Sequence, residues 1–145
     1  MTRSTEQGFT LIELMAVVIV LGTVLAFSIP NFVSYTASNN LKGACDNIVS
    51  QLRLAREKAI ATGVKQEFHL APNYMNCDYH IHNNNVVDPK WKLPRNVTFY
   101  NYTSTIVFDM TPDGRCAQSG SVILQDHRGR RDTVSVQLSG FVLHH

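Results

Sequence analysis

The sequence predicts an α+β protein: one long N-terminal helix, apolar all round in its first half, packed on an antiparallel β-sheet C-terminal domain. Three observations carry that expectation. Residues 9–29 form an apolar run in which Glu13 is the only ionisable side chain. Further on, Leu41, Cys45, Ile48, Leu52, Ala55 and Ala59 recur at spacings of 4, 3, 4, 3 and 4, which is one stripe of a helix. After Gly63 the period falls toward two, and short apolar stretches alternate with turn residues.

Taken in order, residues 1–8 are a short polar leader to be set aside from the fold, with Arg3 as its only side-chain cation and Glu6 offsetting it. The apolar run after the leader is 21 residues from Phe9 to Ile29. As a helix at ~1.5 Å per residue it would measure about 31 Å, close to the hydrocarbon thickness of a bilayer. Residues 9–30 are therefore expected to be a transmembrane or buried half of the helix. Arg3 and the N-terminal amine place the leader on the cytoplasmic side and the rest beyond the membrane. Glu13 is the anomaly, since a carboxylate at mid-membrane costs on the order of 2.5–3.5 kcal/mol. Such a side chain marks function, and its partner belongs in another protein group.

Pro30 removes one backbone hydrogen bond and is expected to kink the helix. Residues 31–62 form the amphipathic half, with Lys42, Asp46, Arg53, Arg56 and Glu57 off the apolar stripe and Gly63 as the C-cap. Residues 63–145 form the β-rich domain. Val64, Gln66, Phe68 and Leu70 alternate with Lys65, Glu67 and His69 as a half-buried strand, and Pro72-Asn73 is expected to open a turn. Tyr79–Ile81, Val97–Tyr100, Ile106–Asp109, Val122–Gln125 and Thr133–Leu138 are the further strand candidates, about six in all, with Pro89 and Pro94 breaking the segment between.

The 145 residues leave room for one modest domain beyond the apolar run. A net charge of +2 is too small to imply nucleic acid by itself. Cys45, Cys77 and Cys116 all lie on the side where disulfides are permitted, and three is an odd count. No catalytic constellation stands out and no cofactor is implied. His80 and His82 share a strand face near Cys77 and Asp78, but the spacing matches no established zinc pattern, so no metal is expected. His144 and His145 form a pair too short to make a site.

Two plainer readings of the N-terminus compete. A secretory signal peptide cut after Val24-Leu25-Ala26 accounts for the apolar run but not for Glu13 within it. A plain single-pass anchor accounts for the length and also leaves Glu13 unexplained.

Gly8-Phe9-Thr10-Leu11-Ile12-Glu13 resembles the class III signal of type IV pilins and type II secretion pseudopilins. The resemblance implies cleavage between Gly8 and Phe9 by a prepilin peptidase and N-methylation of Phe9. It also implies that Glu13 pairs with the N-terminal amine of a neighbouring subunit during assembly. Charges of opposite sign, each costly alone in a low-dielectric medium, are far less costly together. Ser50–Ala59, Val107–Gly114 and Val134–Gly140 resemble the GspH/FimT subgroup of minor pilins and pseudopilins. The resemblance therefore implies a pilin-like fold and a non-enzymatic subunit in type IV pilus assembly or priming. Its partners would be other pilin or pseudopilin subunits, its place the inner membrane with a periplasmic domain, and then the pilus or pseudopilus. A minor pseudopilin of type II secretion is the alternative.

Two finer expectations concern the cysteines and the arginines. The helix from Cys45 to Thr62 covers about 25 Å at ~1.5 Å per residue, and eight residues of returning strand cover about 26 Å at ~3.3 Å each. That levels Cys77 with Cys45 and suggests a disulfide between them, with three reduced cysteines as the alternative. Arg128, Arg130 and Arg131 cluster around Gly129, with Arg115 as a further candidate, and arginines on a turn suit phosphate contacts, as a pilin binding DNA during uptake would need. Against DNA stand Asp126, Asp132 and a tail, Phe141–His145, without the basic motif that DNA-binding FimT-like proteins carry.

Overall fold

The computed structural model describes residues 9–74, 76–83, 86–100 and 106–145, with side chains undescribed at 28–34, 73–74 and 86–89. Gly8, the leader side of the expected cleavage, lies outside the described residues. Among the described residues one helix, α1 (Leu11–Thr62), precedes eight strands: β1 (Gln66–Tyr74), β2 (Cys77–Asn83), β3 (Val86–Trp91), β4 (Val97–Phe99), β5 (Ile106–Met110), β6 (Gly120–Asp126), β7 (Arg131–Val136) and β8 (Val142–His144). The chain divides between Thr36 and Ala37 into two units. Pro30 falls inside α1, so the helix continues through it.

The C-terminal unit holds the core. All six residues of the apolar stripe are buried, from Leu41 at 5% exposure to Cys45, Ile48, Leu52, Ala55 and Ala59 at 0%. They pack with Phe68, Leu70, Tyr79, Ile81, Phe108, Val122, Leu124, Val134 and Val142 in one cluster fed by both sheets. Gly63, at φ 66°, supplies the left-handed residue that ends α1.

The strands form two four-stranded antiparallel sheets, ordered β3-β2-β1-β5 and β4-β6-β7-β8. Among the described residues, eight strands stand where about six were expected, and the two extra ones have local reasons. Pro89 does not break its segment, because β3 is an edge strand where a missing N–H is tolerated. The three-residue β8 is too short to show a period. Pro72 sits inside β1 at an irregularity between Leu70 and Tyr74, so the turn comes later than expected.

The two sheets and the helix meet at one junction. Cys116 N–H donates to Leu138 O at 3.0 Å and Cys116 bridges Met110, which links the end of β5 to the end of β7. Arg56 Nε, from the helix, donates to Gly114 O at 2.8 Å. Gly140, at φ 76°, lies so close that a Cβ there would stand 2.1 Å from Gly114 O and 3.0 Å from Arg56 Nε. Beside it Phe141 carries the Arg56 guanidinium 5.5 Å over its ring, and Arg53, Glu57 and Val142 complete a shallow cleft.

The last strand is held by a histidine. His144 donates from Nδ1 to Asp46 Oδ1 at 2.9 Å and from Nε2 to Asp132 Oδ2 at 2.8 Å, which ties β8 to α1 and β7. Both ring nitrogens donate only in the imidazolium, so the hydrogen bond to Asp132, with that to Asp46, raises the His144 pKa. The Cys45 thiol lies beside His144 and Asp132.

Gly140→Ala meets both a positive φ and a backbone oxygen, and should destabilise the domain by about 3 kcal/mol, lowering its Tm by roughly 10 °C. An unchanged melt would remove the junction's role. For His144, the folded pKa lies above the ordinary 6.5. Its contribution is complete below pH 6.5 and is lost as pH rises through the raised folded value. Melting curves of wild type and His144→Gln should therefore differ most at low pH and converge as pH rises; a constant gap would show that His144 acts by packing alone.

Candidate functional site

The described side chains of the N-terminal unit are surface, mostly apolar, with none of them buried. Along α1, Leu11, Ile12, Leu14, Met15, Val17, Val18, Ile19, Val20, Leu21, Val24, Leu25 and Phe27 are all exposed, and Phe9 ahead of it is 79% exposed. A helix apolar on every side is one that something else must cover. Among the described residues, no helix is long and apolar enough to cross a membrane. The described side chains of the run stop at Phe27.

The start of that helix is built by Thr10 and Glu13. Thr10 Oγ1 accepts from the Glu13 backbone N–H at 3.3 Å, and Thr10 O accepts from Glu13 N–H at 3.1 Å and Leu14 N–H at 3.2 Å. Thr-x-x-Glu is the spacing of a capping box, and an acidic side chain in the first turn complements the positive end of the helix dipole. Glu13 therefore has a local structural role in addition to any assembly role. It is exposed, with Phe9, Ile12 and Leu14 exposed around it.

The expected Cys45–Cys77 disulfide is not formed. Cys45 faces β7 and β8, where its thiol lies with Asp132 and His144. Cys77 opens β2 in the other sheet, its Sγ 3.7 Å from His80 Nδ1. The count of residues along the helix axis does not fix the direction around it: Cys45, on α1, faces one sheet and Cys77 belongs to the other. The group of Cys45, Asp132 and His144 has the composition of a nucleophilic triad. Burial, followed by the charge of Asp132, pushes the Cys45 pKa up to about 12, and its side chain is fully enclosed. A protonated, inaccessible thiol attacks nothing.

The arginine cluster is largely spent on the fold. Asp126, 4% exposed, accepts from the N–H groups of Arg128 and Arg130 at 2.9 Å each and from Arg130 Nε at 2.7 Å. Burial alone would raise its pKa, but the hydrogen bonds from Arg130 and Arg128 outweigh that and hold it low. Gly129, at φ 80°, closes the turn. Arg131 lies with its guanidinium carbon 3.5 Å from the centre of the Tyr100 ring. Arg128 is left exposed at the tip. Arg115 lies by Gly114, at the end of β7 away from this turn.

Sequence reasoning missed a four-residue grid on one face of β1 and β2. Glu67 pairs across to His82, and His69 to His80. Glu67 Oε2 is 3.0 Å from His69 Nε2 and 3.5 Å from His82 Nδ1, while Oε1 receives Lys65 Nζ at 2.7 Å. The hydrogen bond from Lys65, then that from His69, brings the Glu67 pKa down to about 2. His80 is 2% exposed, and burial, followed by His69 and His82, brings its pKa down to about 4. Asp78 is elsewhere, accepting from Leu93 N–H at 2.8 Å. The alternation around Phe68 is the signal the sequence offers, but only the β1–β2 register brings the four together.

Residues 3–29 match the family described as the prokaryotic N-terminal methylation motif. A fimbrial protein of Pseudomonas aeruginosa is 45% identical over 58 residues, 40% of this chain and 37% of that protein. A type IV major fimbrial protein, FimA, of Dichelobacter nodosus is 35% identical over 65 residues, 45% of this chain and 40% of that protein. The chain thus aligns with less than half the length of these curated relatives. The minor pseudopilin EpsH of the type 2 secretion system of Vibrio cholerae shares the fold, with a TM-score of 0.52 at 12% identity over 73% of this chain and 96% of that one. The N-terminal segment is thus similar to that of type IV fimbrial proteins, and the chain shares its fold with a minor pseudopilin.

Proposed function

We propose that the chain is a structural, non-enzymatic subunit that packs into a pilus-type filament through residues 9–30. The observation that carries this reading is the exposed apolar helix with Glu13 as its only ionisable group. Before assembly the run is held in the inner membrane as a single pass, with the domain of residues 63–145 in the periplasm. In the filament, neighbouring copies of such helices cover it. Prepilin peptidase cuts between Gly8 and Phe9, Phe9 is methylated, and Pro30 bends the helix. Inside the bilayer no hydrophobic force favours helix association, so side-chain packing and the pairing of Glu13 with a neighbour's N-terminal amine set the register.

Type IV pilus assembly is the system favoured, on the fimbrial likeness of the N-terminal segment. A type II secretion pseudopilus is the second reading, favoured by the fold shared with EpsH. The DNA reading is not adopted, since Arg130 and Arg131 are engaged by Asp126 and Tyr100.

Glu13→Ala should insert in the membrane like the wild type and enter filaments at a small fraction of its level, as read by shearing and immunoblotting. Incorporation equal to wild type would remove the assembly role assigned to Glu13 and leave it only the acidic residue of the first turn. Mass spectrometry of the mature N-terminus should find methylated Phe9, and a start at Phe27 would mean signal peptidase instead. Deleting the protein and scoring surface pili against secreted enzymes separates the two systems.

A further inference from the structure

We propose that Glu67, His69 and His82 form a binding site for one divalent cation of the zinc type, on the β1–β2 ladder. Their donor atoms, one carboxylate oxygen and two imidazole nitrogens, all lie within 4.8 Å of one another. That spread suits convergence on a single ion, since zinc takes histidine nitrogen at ~2.0–2.1 Å and carboxylate oxygen at ~2.0–2.2 Å. Two imidazoles and a carboxylate are a common three-ligand zinc set that leaves a fourth position for water.

The backbone fixes the arrangement. Glu67 and His69 are two apart on β1 and so share a face, and the pairing of Glu67 with His82 brings the third donor across the ladder. The intervening Phe68 and the cross-strand Ile81 point into the core at 0% and 1% exposure, which anchors both strands. Access is open as well. The side chains of Glu67, His69 and His82 keep 30%, 20% and 23% of their exposure, so an ion can enter and retain water. His80, which is buried and faces Cys77, packs edge-on against His82 and tilted on His69 and is not a ligand. Lys65 competes for Glu67 but already reaches Asp109 Oδ2 at 3.4 Å, an acceptor to which it can move when the ion arrives. The Cys45, Asp132 and His144 group is the rival, but both nitrogens of His144 already donate to carboxylates there.

The test is cobalt and zinc titration of the full chain in detergent. Cobalt should bind at one equivalent with visible d–d bands, no thiolate charge-transfer band, and full displacement by zinc. His69→Ala and His82→Ala should each weaken zinc binding by roughly 100-fold or more. Circular dichroism checks that these variants fold, and Glu67→Gln gives a nearly isosteric third case. The wild-type cobalt spectrum stands whether or not a variant folds. A thiolate band abolished by Cys45→Ser would place the ion at the rival group and overturn the assignment. So would zinc affinity indifferent to His69 and His82, or no saturable binding.

Discussion

The domain depends on the close approach of Gly140, Gly114 and the Arg56 side chain. Arg56 alone among the three belongs to the helix, and its hydrogen bond to Gly114 O fastens the helix to the turn after β5. Gly140 then closes over that carbonyl from the other sheet, in a space that no Cβ could share. The three segments come from residues 50–59, 107–114 and 134–140, far apart in the chain yet brought to one point. A contact of this kind is a steric constraint first and an attraction second, since the close approach is available only to a residue without a side chain.

How much of the fold is legible in the sequence depends on the range of the interaction. The stripe from Leu41 to Ala59 is readable because a helix writes its buried face into local spacing, and Gly63 is readable as its cap. Strand alternation around Phe68 and Leu70 is readable for the same reason. The division into two sheets is not, because it rests on pairings such as Gln66 with Met110, 44 residues away. The grid of Glu67, His69, His80 and His82 is hidden behind the same kind of pairing. The disulfide expectation fails on angle, since rise per residue fixes level along a helix and says nothing about which side of it a strand occupies. His144 sits in a terminal pair that carries no motif, and it clamps β8 only because Asp46 and Asp132 converge there from elsewhere in the chain.

The single helix α1 answers two different solvents. From Leu41 onward its buried apolar residues are confined to a face and are met by the sheets. Before that, up to Phe27, they surround the axis and stay exposed. The two patterns ask for different partners, one supplied by folding and the other from outside the chain. Thr10 adds a local economy, for its hydroxyl caps the helix at the point where the only carboxylate of the run must sit.

The burial of all three cysteines has a consequence for thiol chemistry. Cys45, Cys77 and Cys116 each have pKa values raised mainly by desolvation. Disulfide exchange proceeds through an exposed thiolate, and the folded domain offers neither the charge nor the exposure. In an oxidising compartment, the folded domain should keep its sulfurs reduced by slow kinetics rather than by redox equilibrium. Mixed disulfides then become a hazard of the unfolded chain alone, and the rate of folding, more than the choice of oxidant, decides whether they form.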